Sequence, residues 1–162
     1  MNWIRGLAIL AGTSIALAAS PAWSQPPGKG PLEYPTLKPP LIRAQVELGA
    51  RLAGEAITIL ENASEVEQLE KAKALVSKSY VLLRYATAGI EMISADTSTR
   101  TNPGLKIALD WIWDARQRNI NAGIAIGNSV AWPGDREQFK SQALDLLGPV
   151  PELAQRASVL IR

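Results

Sequence analysis

The sequence predicts an all-α fold: an up-down four-helix bundle with an extended proline-rich N-terminal arm and a short C-terminal helix. Three observations predict it. Apolar residues recur at three- to four-residue spacing through most of the chain from Leu41 onward. No segment shows the two-residue alternation of a strand, and no internal repeat is present. Capping residues, prolines and glycines punctuate the periodic runs at helix-length intervals.

The first residues are expected to stand outside this domain. Arg5 supplies one positive charge, Gly6 to Ala19 is an apolar run, and Ala22-Trp23-Ser24 is a small-x-small site. Together they read as a cleavable export signal over residues 1–24, the apolar run being too short to span a bilayer as a helix. Residues 25–40 contain Pro26, Pro27, Pro31, Pro35, Pro39 and Pro40 and read as an arm of polyproline II character. From Pro27 to Pro39 the prolines recur every fourth residue, against a polyproline II repeat of three, so they rotate about the arm and form no single stripe. Leu32, Tyr34, Leu37 and Leu41 are free to lie on the domain or on a partner. The remaining residues, 41–162, suit one domain with one core.

The first helix is expected to start at Leu41 and to bury Ile42, Val46, Gly49, Ala53, Ala56 and Leu60, with Leu41, Leu48, Leu52 and Ile59 widening its apolar face. Glu47 and Arg51 are spaced as a supportive pair on its polar side. Ser64-Glu65-Val66-Glu67 reads as a capping box opening a second helix. The inward positions of that helix are read as Val66, Leu69, Ala72, Val76, Tyr80, Leu83, Thr87 and Ile90. Polar residues from Ser94 to Asn102 make the next break. Asn102-Pro103 places a capping side chain before a proline at the first helical position, and the third helix is expected to run to about Asn128. Its apolar set is Leu105, Ala108, Leu109, Ile112, Ala115, Ala122, Ile124 and Ile126, opposite a polar strip of Asp110, Asp114, Gln117 and Asn121. Trp132-Pro133-Gly134 is a turn. Asp135 with Gln138 opens a fourth helix carrying Phe139, Ala143, Leu144 and Leu147. Gly148-Pro149 stops it, and Pro151 starts a short last helix with Leu153, Ala157 and Leu160.

Composition removes most site chemistry. The chain has no His and no Cys. A serine hydrolase lacks its base, a Glu-x-x-His di-iron site and Cys-x-x-Cys-His haem attachment are impossible, and zinc loses both favoured ligands. Gly127-Asn128-Ser129-Val130-Ala131 loosely resembles a nucleophile elbow, but no strand precedes it. Glu67 with Glu70, and Asp110 with Asp114, are acidic pairs at helical spacing. Their basic neighbours Lys71, Lys73, Lys106 and Arg118 favour solvated faces over Ca²⁺ or Mg²⁺ ligation. No catalytic residue, metal ligand or cofactor is therefore expected. Without Arg5, 16 basic residues face 15 acidic ones, a formal charge of +1 that gives no reason to expect nucleic acid as a partner. With no disulfides, stability must come from packing, which suits a periplasm or a thylakoid lumen.

Two groups of residues point to contacts. Gly123-Ile124-Ala125-Ile126-Gly127 is a small-xxx-small segment, and Gly49, Ala53 and Gly89 are further small positions on helices. Close helix crossing is the first reading, and a cavity for an apolar ligand near Gly49, Gly89 and Gly123, as in a soluble periplasmic carrier, is the alternative. Trp111 and Trp113 lie two apart, so they point to different sides of one helix. One can pack inward while the other anchors a partner, with Arg116 and Arg118 at the rim. The expected partner contacts are thus Leu32, Tyr34 and Lys38 of the arm with Trp111, Trp113, Arg116 and Arg118 of the third helix.

Pro39-Pro40 at the head of the first helix, Ser79-Tyr80 and Leu83-Arg84-Tyr85 in the second, and Ile93-Ser94-Ala95 at its end carry a resemblance. Over most of 39–147 the chain is similar to the PsbQ-like family, the extrinsic subunits on the lumenal side of photosystem II. The resemblance implies a compact up-down bundle without catalytic groups, carried on a proline-bearing arm. It also implies docking on membrane-complex proteins, where such a subunit helps keep the inorganic ions of the oxygen-evolving centre in place. The chain departs from cyanobacterial members in having no Cys at the cleavage site, and from algal and plant members in showing no long transit peptide.

Overall fold

The computed structural model describes residues 38–95 and 102–162. The expected export signal and all of the arm before Lys38, with Leu32 and Tyr34, lie outside the described residues. The described residues are all-helical: α1 is Pro39–Glu61, α2 Val66–Ala95, α3 Pro103–Ala131, α4 Arg136–Leu147 and α5 Val150–Leu160, with a 3₁₀ turn at Pro133–Asp135 before α4. Among the described residues there is no strand, and no helix is long and apolar enough to cross a membrane.

α1 buries Ile42, Val46, Gly49, Ala53, Ala56 and Leu60, the six positions read from its spacing. It starts two residues earlier than expected, because Pro39 and Pro40 occupy its first turn after Lys38. A proline there sacrifices no helical hydrogen bond and already has helical φ, so the pair belongs to the helix and not to the arm. Leu41 lies outside the core, 51% exposed. Glu47 pairs with Arg43 at 2.8 Å, not with Arg51.

The start of α2 is closed by Gln68 in place of Glu67. Gln68 Oε1 accepts from the backbone N–H groups of Ser64, at 2.8 Å, and Glu65, at 3.1 Å. α2 buries Ser79 where Tyr80 was expected, leaving Tyr80 half-buried and Val66 exposed. It continues through Ser94 to Ala95, beyond the expected break. At the start of α3, Asn102 Oδ1 accepts from Gly104 N at 3.0 Å with Pro103 at the first position, as the sequence indicated. α3 runs three residues past Asn128 and leaves Ile124 outside, because Ala125 and Ile126 take the inward positions. Asp135 makes no side-chain cap, the 3₁₀ turn having already brought the chain into α4.

α1 packs against α2 and α5 and touches α4, and α3 packs against α2, α4 and α5. The α1–α2 crossing is close because position 49 has no side chain: a Cβ there would stand 3.1 Å from Leu83 Cδ2 and 3.2 Å from Leu83 Cγ. A polar relay crosses the same level of the core. Asn119 Nδ2 donates to Ser79 Oγ at 3.0 Å, and Ser79 Oγ donates to the Gly49 carbonyl at 2.8 Å, linking α3, α2 and α1. Lys140 Nζ donates to Ala63 O at 3.1 Å and Arg136 Nη1 to Ser64 O at 3.3 Å. Two cations of α4 thereby hold the α1–α2 turn.

Candidate surface on α2 and α3

The packing leaves one row of apolar side chains without a cover on α3. Trp113, Ile120 and Ile124 follow at seven and then four residues, which sets them along one stripe of the helix. All are exposed, Trp113 at 56% and Ile124 at 58%. Val81 and Tyr85 on α2 are exposed as well. A groove of about 520 Å³ lies between the two helices, with Lys73, Tyr80 and Val81 on one side and Asn119, Gly123 and Ile124 on the other. Val81 also lines a second groove with Leu48 and Leu52, so apolar surface continues from α3 across α2 to α1.

The groove exists because α3 is small where it faces α2. A Cβ at Gly123 would meet only Val76 Cγ1, at 3.9 Å. A Cβ at Gly127 would come 3.4 Å from Lys73 Nζ, so the Lys73 side chain reaches over α3 at that glycine. Among the described residues the Lys73 ammonium has no ion-pair partner. Asn119, in the lining, is 1% exposed, and its Oδ1 has no hydrogen-bond partner.

The two tryptophans divide as their spacing requires: Trp111 is half-buried against the core and Trp113 faces outward. Arg116 is half-buried. It turns toward α2, where its Nη1 donates to Thr87 Oγ1 at 3.1 Å and its guanidinium lies 5.7 Å from the centre of the Tyr80 ring. Thr87 Oγ1 in turn donates to Leu83 O at 2.9 Å, which leaves it a lone pair for Arg116. Arg118 pairs with Asp114 at 3.1 Å on the half-exposed side of α3. Lys38 is exposed at the head of α1. No protein family, curated protein or solved structure matches the chain.

The small positions serve different ends. Gly49 is covered by Leu83, whereas Gly123 and Gly127 border the surface groove. Gly89 is buried in α2. Ser129, the serine of the elbow-like segment, is buried with its Oγ donating to Ile126 O at 2.7 Å, a bond within its own helix. Among the described residues no three acidic side chains gather as a metal site would require.

Sequence reasoning passed over Ser79, Asn119 and the exposed row. The signal for Asn119 was its register. It falls four residues after Ala115 and three before Ala122, on the buried side of α3, so its polarity there marks a core hydrogen bond or a site.

Proposed function

We propose that this chain is an exported, non-catalytic accessory subunit that docks on a membrane-complex protein on the periplasmic or lumenal side, as the PsbQ-like subunits it resembles do. The observation that carries this reading is the uncovered row of Trp113, Ile120 and Ile124, continued by Val81 and Tyr85. Several large exposed apolar side chains on one part of a protein often mark a surface that meets another protein, and an outward tryptophan is a common anchor in one. In this reading the helices form an up-down four-helix bundle. α4 and α5 together make its fourth member, and a proline-rich arm precedes α1. The pairwise packing of α1 on α2 and α5, and of α3 on α2, α4 and α5, supports it. The lack of His and Cys supports the non-catalytic part.

The test compares wild-type chain with a Trp113→Ala/Ile124→Ser variant, each tagged and expressed in the native host. Retention on isolated membranes is measured and the cross-linked neighbours are identified by mass spectrometry. Retention is expected to fall about tenfold or more in the variant, with unchanged far-UV circular dichroism. Cross-links to photosystem II subunits would support the specific partner. Equal retention of the two chains would refute docking through this face.

A further inference from the structure

We propose that two copies of this chain pair through the outer face of α2, antiparallel and about a two-fold axis.

The face is a second apolar seam on that helix. Lys78, Val81, Tyr85, Ala88, Met92 and Ala95 follow at alternating steps of three and four residues, and all are exposed, Tyr85 at 58%. This alternation is the contact pattern of a two-stranded coiled coil. Val81 and Tyr85 stand two residues on either side of the buried Leu83, about 200° around the helix. The seam therefore lies opposite the face that α2 gives to its own core. A surface helix needs one apolar stripe, and the core already takes it. The groove of about 460 Å³ that Lys78, Val81 and Leu82 share with Leu48 and Leu52 extends the seam onto α1.

Charge and size select the occupant. Arg84 and Glu91 flank the seam on one side, seven residues apart, and neither has an ion-pair partner among the described residues. In an antiparallel pair centred between Tyr85 and Ala88, Tyr85 meets Ala88 of the second copy and Met92 meets its Val81. Each layer sets a larger side chain against a smaller one. Arg84 of each copy then stands on the same flank as Glu91 of the other, which gives two identical ion pairs. Sliding the register by one heptad either way would set Arg84 against Arg84 or Glu91 against Glu91. A parallel pair in register would stack Lys78 on Lys78. One orientation and one register of a second copy satisfy the pattern.

The overlap runs from Lys78 to Ala95, about 27 Å of helix. That is a small interface, so the pair is expected to form in the micromolar range. Trp113, Ile120 and Ile124, which anchor the docking proposed above, stand on α3 and outside the seam. Pairing is measured on the isolated chain, so its failure and the failure of docking are separate results.

The chain, purified from its native host, is examined by sedimentation equilibrium from about 1 to about 200 μM. Wild type is expected to pass from monomer to dimer across this range. Arg84→Glu and Glu91→Arg should each weaken the dimer about tenfold or more by setting like charges together, and the double variant should return to within about threefold of wild type. All should keep the wild-type far-UV circular dichroism. Orientation is read separately, because the chain has no Cys of its own. Val81→Cys chains mixed with Met92→Cys chains should cross-link under mild oxidation, and neither should cross-link with itself. A monomer throughout the range would overturn the proposal. So would undiminished pairing by Arg84→Glu, a double variant no better than the single ones, or cross-linking of Val81→Cys chains with one another.

Discussion

The relay from Asn119 through Ser79 to Gly49 makes an asymmetric prediction. Replacing Ser79 by Ala removes the acceptor of a buried amide and the bond to the Gly49 carbonyl. Gly49 lies inside α1, so its carbonyl retains a helical partner, and losing the Ser79 bond costs only about 1 kcal/mol. Asn119 Nδ2 is stranded, which costs about 1–3 kcal/mol more. Ser79→Ala is therefore expected to destabilise by about 2–4 kcal/mol. Asn119→Leu removes both the amide and its already orphaned Oδ1, while Ser79 keeps its bond to Gly49. It should stay within about 1 kcal/mol of wild type, since an apolar residue of similar volume removes the need for partners. The double variant should then be more stable than Ser79→Ala alone, with a coupling of about 1–3 kcal/mol. Urea unfolding followed by far-UV circular dichroism reads all four proteins. Additivity within about 0.5 kcal/mol would refute the relay as a coupled unit, as would a Ser79→Ala cost of less than about 0.5 kcal/mol.

Two further substitutions test separate parts of the fold. Gly49→Leu should destabilise by about 2–3 kcal/mol or prevent folding, because its Cβ alone would stand 3.1 Å from Leu83 Cδ2; thermal unfolding against Gly54→Leu, where nothing lies within 4 Å, controls for helix propensity. Asn102→Ala should cost about 1 kcal/mol by leaving Gly104 N–H without its cap, measured by urea unfolding, and Asn102→Asp should recover most of it.

The helices were legible because apolar spacing, caps and prolines agreed with one another. In α1 the stripe from Ile42 to Leu60 has a single register, and its buried set followed directly. α2 was harder. Tyr80 is large and Ser79 small, so hydropathy favours the wrong neighbour. The structure selects Ser79 because the Gly49 backbone comes close enough to receive its hydroxyl, a distant contact that no local pattern encodes. The run Ile124-Ala125-Ile126 offers three apolar residues to a face that accepts two, and packing against the other helices decides which is left out. Arg116 was read at the rim of a contact because it closely follows Trp111 and Trp113. The partners that draw it inward, Thr87 and Tyr80, stand on another helix. Of the candidate surface, the outward tryptophan was readable from the spacing of 111 and 113, whereas the row it joins depended on where α2 came to lie.

The neighbours of α1 have a consequence for the order of assembly. It packs most on α2, the next helix made, and on α5, the last of the described helices, with a smaller contact to α4. About a hundred residues separate the end of α1 from the end of α5, and at synthesis rates of about 5–20 residues per second this is an interval of about 5–20 s. During that time α2 can cover its side of α1, but the side that belongs to α5 has nothing to rest on. A growing chain of this design presents an unfinished first helix until the eleven residues of α5 emerge. Its closure is a late, long-range event rather than a local one, and that interval is when a chaperone or a translocation channel would meet it still open.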